Sequence, residues 1–134
     1  MKAYFGRRYM MSASHRLHTA ALSAENNRAA YGKCNNEHGH NYFVEVLVGG
    51  AVDGETGMVV DLVALDDAVR SQVLERFDHA NLNLDPLFAD RVPTTENLCR
   101  TIFTLVKDAL PAGELEQVRV EETENNYFEC RAGG

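Results

Sequence analysis

The residues able to do chemistry are concentrated in a few short stretches. In KCNNEHGHNY, residues 33–42, Cys34 precedes His38 by four positions and His40 follows His38 by two. Side chains two apart on a strand point to the same face, so both imidazoles can meet one metal ion. His15 closes the alternating stretch AYFGRRYMMSASH and shares parity with Phe5, Met11 and Ala13. If the two stretches pair as neighbouring strands, His15 completes a three-histidine site. Three protein ligands with the fourth position open are the mark of catalytic zinc. The plain alternative is that HGH is a polar strand entry with Gly39 at a bend. Cys34 likewise has two readings. As a fourth ligand it would close a structural Cys-His₃ site. As a free thiol beside a metal and Lys33 its thiolate would be favoured, and it would serve as base or nucleophile.

Two further groups stand out. In QVRVEETE, Glu122 has the parity of Val118 and Val120, and a carboxylate on an apolar face needs a partner. No basic residue lies nearby on that face. A ligand with a guanidine-like edge would satisfy it through two parallel hydrogen bonds. The structural alternative is a strand end where Glu122 has reached solvent. Asp78 and His79 end a helical pattern, where a histidine suits the helix dipole. Neighbouring helical side chains point about 100° apart, so the pair is not expected to work face to face.

The elements that must position these groups follow from periodicity. Residues 3–13 alternate as a strand, 16–33 form a long excursion without a period, and 41–48 alternate again with Tyr42, Val44, Val46 and Val48 on one face. A helix capped by Asp61 carries Leu62, Leu65, Val69, Val73 and Phe77 near one stripe. A second, capped by Thr94 or Thr95 with Glu96 in its first turn, turns Leu98, Ile102, Leu105, Val106 and Ala109 inward. Short strands near 116–123 and 126–131 complete the order. The expectation is an α+β domain over residues 1–134: a four-stranded antiparallel sheet with both helices packed on one face.

Composition sets outer limits. A chain of 134 residues, 45% apolar and 25% charged, suits one domain whose core needs no disulfides, and its three cysteines are widely spaced. No apolar run approaches the ~20 residues of a membrane span, and the first residues lack the apolar stretch of a signal peptide, so a cytoplasmic protein without a membrane partner is expected. The net charge of −7 argues against general nucleic-acid binding. Residues 1–33 nevertheless hold Lys2, Arg7, Arg8, Arg16, Arg28 and Lys33 against Glu25 alone. Such a segment can attract a small anion.

SASHRLH, YGKCNNEHGHNY, TGMVVDL, FDHANLN, PTTEN and VEETENN, in that order from Phe5 to Arg131, make the chain resemble the 6-pyruvoyltetrahydropterin synthase family. That family includes the bacterial 6-carboxytetrahydropterin synthases of queuosine biosynthesis. The resemblance implies the tunnelling fold, ββααββ, in trimers stacked as a homohexamer. It implies a zinc ion on His15, His38 and His40, with Cys34 as catalytic base rather than ligand. Asp78 and His79, contributed by a neighbouring subunit, would complete the proton-handling group. Glu122 would anchor the pterin ring, supported by Thr94, Thr95 and Glu96. The implied substrate is 7,8-dihydroneopterin triphosphate; the charge count, not the resemblance, makes Arg16, Arg28 and Lys33 of the basic first segment candidates for holding its triphosphate. The long insertion LHTAALSAENNRAAYGKCNN, the NNEHGHNY run and PTTEN resemble the branch that keeps a pyruvoyl side chain. The other branch, which releases acetaldehyde and leaves a carboxyl group, is the alternative reading. A non-catalytic zinc-stabilised pterin-binding protein is the further alternative.

Overall fold

A computed structural model describes residues 1–110 and 114–133. Strand β1 (Lys2–His15) and strand β2 (His38–Ala51) pair antiparallel along their whole lengths, from Lys2 opposite Ala51 to His15 opposite His38. Both run further than the alternation suggested, because polar residues at their ends still take part in the ladder. This length matters to the chemistry: it places His15, His38 and His40 inside the ladder, not in the loops beyond it.

The excursion between these strands is ordered by helix α1 (Ala24–Tyr31) and a 3₁₀ turn (Gly32–Asn35). Ser23 caps α1 by accepting from the Asn26 amide at 3.1 Å. Gly32 ends it at φ 57°, a conformation that favours glycine, and turns the chain into the 3₁₀ turn that carries Cys34. Asn27, fully buried, donates to the carbonyls of Thr19, Leu22 and Ser23, holding the segment without an apolar period.

Helix α2 (Leu62–Val69) starts at Asp61, whose side chain accepts from the amides of Val63 and Ala64. It continues through a π turn (Arg70–Leu74) into a last turn, α3 (Glu75–Phe77). The π turn has a sequence cause. Leu65, Val69, Val73 and Phe77 are spaced by four, which would drift by about 120° around a regular helix. A wider i→i+5 turn takes up that drift, and all four side chains remain fully buried.

The chain then adds strand β3 (Ala80–Asn81), parallel to β1, before helix α4 (Thr95–Ala109) and strands β4 (Glu114–Glu121) and β5 (Tyr127–Arg131). The sheet order is β3-β1-β2-β4-β5. The sheet is therefore five-stranded and mixed, correcting the expected four-stranded antiparallel arrangement. The extra strand is two residues long, too short to show a period.

Helices α2 and α4 cover one face of the sheet. Met11, Tyr42, Val44, Val46, Val118 and Val120 from the strands meet Leu65, Val69, Phe77, Leu98 and Ile102 from the helices in one core. Burying such side chains contributes about 1.5–3 kcal/mol each before entropy is counted. The other face carries charge: Arg8 pairs with Glu45 at 3.0 Å, and Arg119 with Glu45 at 3.3 Å. Among the described residues no helix is long and apolar enough to cross a membrane.

Candidate metal centre

The core-facing parity of β1 and β2 ends in histidine on both strands. His15 lies opposite His38, and Ala13 opposite His40, so the three imidazoles gather at one end of the sheet. Their ring centroids are 4.5, 5.3 and 4.9 Å apart. His15 is 1% exposed. The ring of Tyr42 follows His40 on the same face, 5.4 Å away, and its hydroxyl lies 3.5 Å from His15 Nε2.

Backbone carbonyls fix two of the rings. The Nδ1–H of His15 donates to Pro93 O at 2.7 Å, and that of His38 donates to Asn36 O at 2.7 Å. A carbonyl can only accept, so both rings carry a proton on Nδ1, and in the neutral form each turns its Nε2 lone pair toward the cluster. This is how metal-binding histidines are oriented. The Nε2 atoms of His38 and His40 are buried without a hydrogen-bond partner among the described residues. Burial holds His15 below the ordinary histidine range, against the Pro93 hydrogen bond and with help from the neighbouring imidazoles. Burial also holds His40 down, against the pull of Glu122. Both shifts favour the neutral imidazole that a metal requires.

Glu122 joins this group. It continues the inward parity of Val118 and Val120 one residue beyond β4, and its amide donates to Asn126 O at 3.0 Å in the turn to β5. One carboxylate oxygen lies 3.0 Å from His40 Nε2 and 3.8 Å from His15 Nε2. Donor atoms of His15, His38, His40 and Glu122 all fall within 4.8 Å of one another. The expectation that Glu122 faces inward holds, and its neighbours are histidines. Three imidazoles and a carboxylate with converging donor atoms suit a zinc-like cation.

Cys34 is exposed and does not belong to this group of converging donors. Its carbonyl accepts from the Leu17 amide at 2.9 Å, tying the cysteine turn to the segment just after His15. The arrangement disfavours a closed Cys-His₃ site and leaves the thiol free.

Asp78 and His79 correct the expectation about their geometry. Helix α3 ends at Phe77; Asp78 is extended and His79 stands at φ 61°, left-handed for a residue other than glycine. The two side chains therefore do meet, with Asp78 Oδ1 3.0 Å from His79 Nδ1. Ser12 clamps the pair to β1: its amide donates to Asp78 Oδ1 at 2.8 Å, and its carbonyl accepts from the His79 amide at 2.5 Å. The Ser12 hydrogen bond, with His79 adding to it, holds the Asp78 carboxyl below its ordinary range. The His79 side chain is 82% exposed. An oriented, solvent-facing imidazole held by unusual backbone is a feature of functional positions.

The Thr94–Glu96 stretch does three separate things. Thr94 caps α4, its hydroxyl accepting from the Asn97 amide at 3.1 Å. Thr95 is buried, with its hydroxyl unpartnered among the described residues. Glu96 is exposed in the first turn. Of the basic segment, Lys2 is engaged by Glu114 and Glu116, Arg7 by Asp66 and Arg8 by Glu45. No ion pair among the described residues involves Arg16, Arg28 or Lys33; Arg16 Nε donates to Asn35 O at 2.7 Å. Sequence reasoning missed the Pro93 and Asn36 carbonyls, since backbone groups leave no residue-type signal. The Asn35-Asn36 pair beside Cys34 was the nearest hint.

A family profile described as 6-pyruvoyl tetrahydropterin synthase matches residues 5–133. The chain is 46% identical over 128 residues to human 6-pyruvoyl tetrahydrobiopterin synthase, spanning 93% of this chain and 88% of that one. It is 37% identical over 114 residues to a putative 6-carboxy-5,6,7,8-tetrahydropterin synthase of Archaeoglobus fulgidus, spanning 84% and 91%. Among solved structures, the Caenorhabditis elegans 6-pyruvoyl tetrahydropterin synthase is similar at a TM-score of 0.94 and 38% identity, covering 99% of this chain and 97% of that one.

Proposed function

Because the chain belongs to the 6-pyruvoyl tetrahydropterin synthase family, we propose that it converts 7,8-dihydroneopterin triphosphate to 6-pyruvoyltetrahydropterin with loss of triphosphate. Its relatives are named pterin synthases, which makes it an enzyme of the lyase type; one domain working in the cytoplasm is part of the same proposal. The observation that carries the reading is the three-imidazole cluster, with two Nε2 lone pairs directed by backbone carbonyls and two Nε2 atoms buried without partners.

His15, His38 and His40 would hold the zinc ion. Zinc, when bound, supplies a Lewis acid for side-chain oxygens of the substrate. The chain's own groups then divide the work. Glu122 accepts two hydrogen bonds from the guanidine-like edge of the pterin, which fixes the ring and orients the side chain toward the histidines. Thr95, through its unpartnered hydroxyl, and Thr94 and Glu96 beside it support that ring. The Cys34 sulfur, as thiolate, takes a proton from a side-chain carbon of the substrate. His79, oriented by Asp78, passes protons to and from oxygen. Arg16, Arg28 and Lys33, the cations of the basic first segment that make no ion pair among the described residues, would meet the triphosphate.

Within one subunit the Asp78–His79 pair is clamped to the β1 edge at Ser12, and its imidazole faces solvent. That placement supports the pair serving the site of an adjoining subunit in a homohexamer. Pairing the sheets of adjoining subunits would also cover the edge strands.

Mass spectrometry of the products of 7,8-dihydroneopterin triphosphate tests the assignment. The pyruvoyl product is expected, in line with the higher identity to the human enzyme than to the archaeal carboxy-forming relative. A carboxylated pterin with acetaldehyde would move the chain to the queuosine branch.

A further inference from the structure

Glu122 sits where a metal ligand would sit. We propose that its carboxylate is the fourth ligand of the metal in the resting protein, and that an arriving pterin ring draws it away. This rests on the proposed pterin synthase reading and adds a control on when the metal's fourth position opens.

Three observations carry it. The first is distance. A tetrahedral zinc site with bonds of 2.0–2.1 Å has ligand atoms about 3.3 Å apart. The Glu122 oxygen lies 3.0 Å from His40 Nε2 and 3.8 Å from His15 Nε2, on either side of that value.

The second is direction. At 3.0 Å His40 Nε2 and the carboxylate oxygen are within hydrogen-bond reach, yet His40 Nε2 has no hydrogen-bond partner. The two atoms are not aligned as donor and acceptor. Atoms at this separation that do not point at each other suit a shared cation between them.

The third is surroundings. Glu122 is 15% exposed at its side chain, and the ionic contacts of its carboxylate among the described residues are to His15 and His40. No lysine or arginine among the described residues stands within ion-pair distance of the carboxylate. A divalent cation would offset its charge.

The two roles of Glu122 exclude each other. Two parallel hydrogen bonds to a guanidine-like edge use both carboxylate oxygens in one plane. A carboxylate so engaged has turned from the histidines. Seating the ring would therefore withdraw the Glu122 carboxylate from the donor set of His15, His38 and His40 and open the Lewis acid they hold to the substrate; without the ring, the same carboxylate would shield that site from solvent and small anions.

The test uses the whole chain loaded with Zn²⁺ or Co²⁺. Zinc affinity is measured by competition with a chromophoric chelator for the wild type, Glu122→Gln and, as a control on the opposite face of the sheet, Glu121→Gln. Glu122→Gln should bind zinc at least about tenfold more weakly, and Glu121→Gln should match the wild type. The visible ligand-field spectrum of the Co²⁺ protein should differ between wild type and Glu122→Gln. Adding 6-methylpterin, which has the ring but no side-chain oxygens, should shift the wild-type spectrum and leave that of Glu122→Gln in place. Equal zinc affinities for wild type and Glu122→Gln, or a wild-type spectrum indifferent to the pterin, overturn the proposal. Turnover of the zinc-loaded wild type, followed in parallel, separates the two levels. Zinc-dependent turnover alongside those negative results removes the ligand exchange alone; absent turnover removes the pterin synthase reading with it.

Discussion

Replacing Cys34 by alanine is expected to lower turnover by about 10²- to 10⁴-fold, the usual contribution of a positioned base, while zinc content stays at the wild-type level. That loss corresponds to about 3–5 kcal/mol of transition-state stabilisation. Four donors from His15, His38, His40 and Glu122 converge without Cys34, whose thiol stays exposed on its own turn. Removing a side chain outside the ligand set leaves the metal where it was. Steady-state rates together with metal analysis of the purified variant check both halves. Loss of zinc along with activity would instead make Cys34 a ligand and the centre a structural one.

The second large effect is expected for His38→Ala. It should weaken zinc binding by at least about 100-fold, with turnover falling in step and returning in part at high zinc. His38 is the informative ligand to remove because it is half-buried, whereas His15 is buried in the core, where truncation would also open a cavity. Its Nδ1–H is bound to a carbonyl of its own turn, so the ring contributes little to the fold beyond its Nε2. Chelator competition and circular dichroism measure affinity and folding separately. Unchanged affinity would mean that the imidazoles pack against one another for structural reasons alone.

Much of the centre was legible in the sequence because strands report parity directly. His15, His38 and His40 could be placed on one face from alternation alone, and Glu122 from the parity of Val118 and Val120. The histidine placement holds because β1 and β2 pair in continuous register; the Glu122 placement holds because β4 keeps one register with β2 from Phe43 to Leu47, the register shift lying further along, between Leu47 and Val48. The family resemblance supplied roles for Cys34 and Thr94–Glu96 that spacing could not. Asp78 and His79 depart from the helical backbone that their pattern suggests: the helix stops at Phe77, and Ser12 binds the pair to the sheet edge. Residues 16–33 showed no period because polar side chains order them: Asn27 and Asn35 bind backbone carbonyls where an apolar stripe would otherwise be needed. Strand β3 was invisible for a different reason, since two residues cannot alternate. The π turn in the first long helix was latent in the four-residue spacing of its stripe, which a regular helix does not accommodate.

Release of triphosphate from 7,8-dihydroneopterin triphosphate shows whether the histidine cluster holds a catalytic metal. The rate should fall to background in protein stripped by a chelator and recover when one equivalent of Zn²⁺ per chain is restored. Stripped protein that stays folded, is shown to be metal-free and still turns over at the full rate would contradict the account.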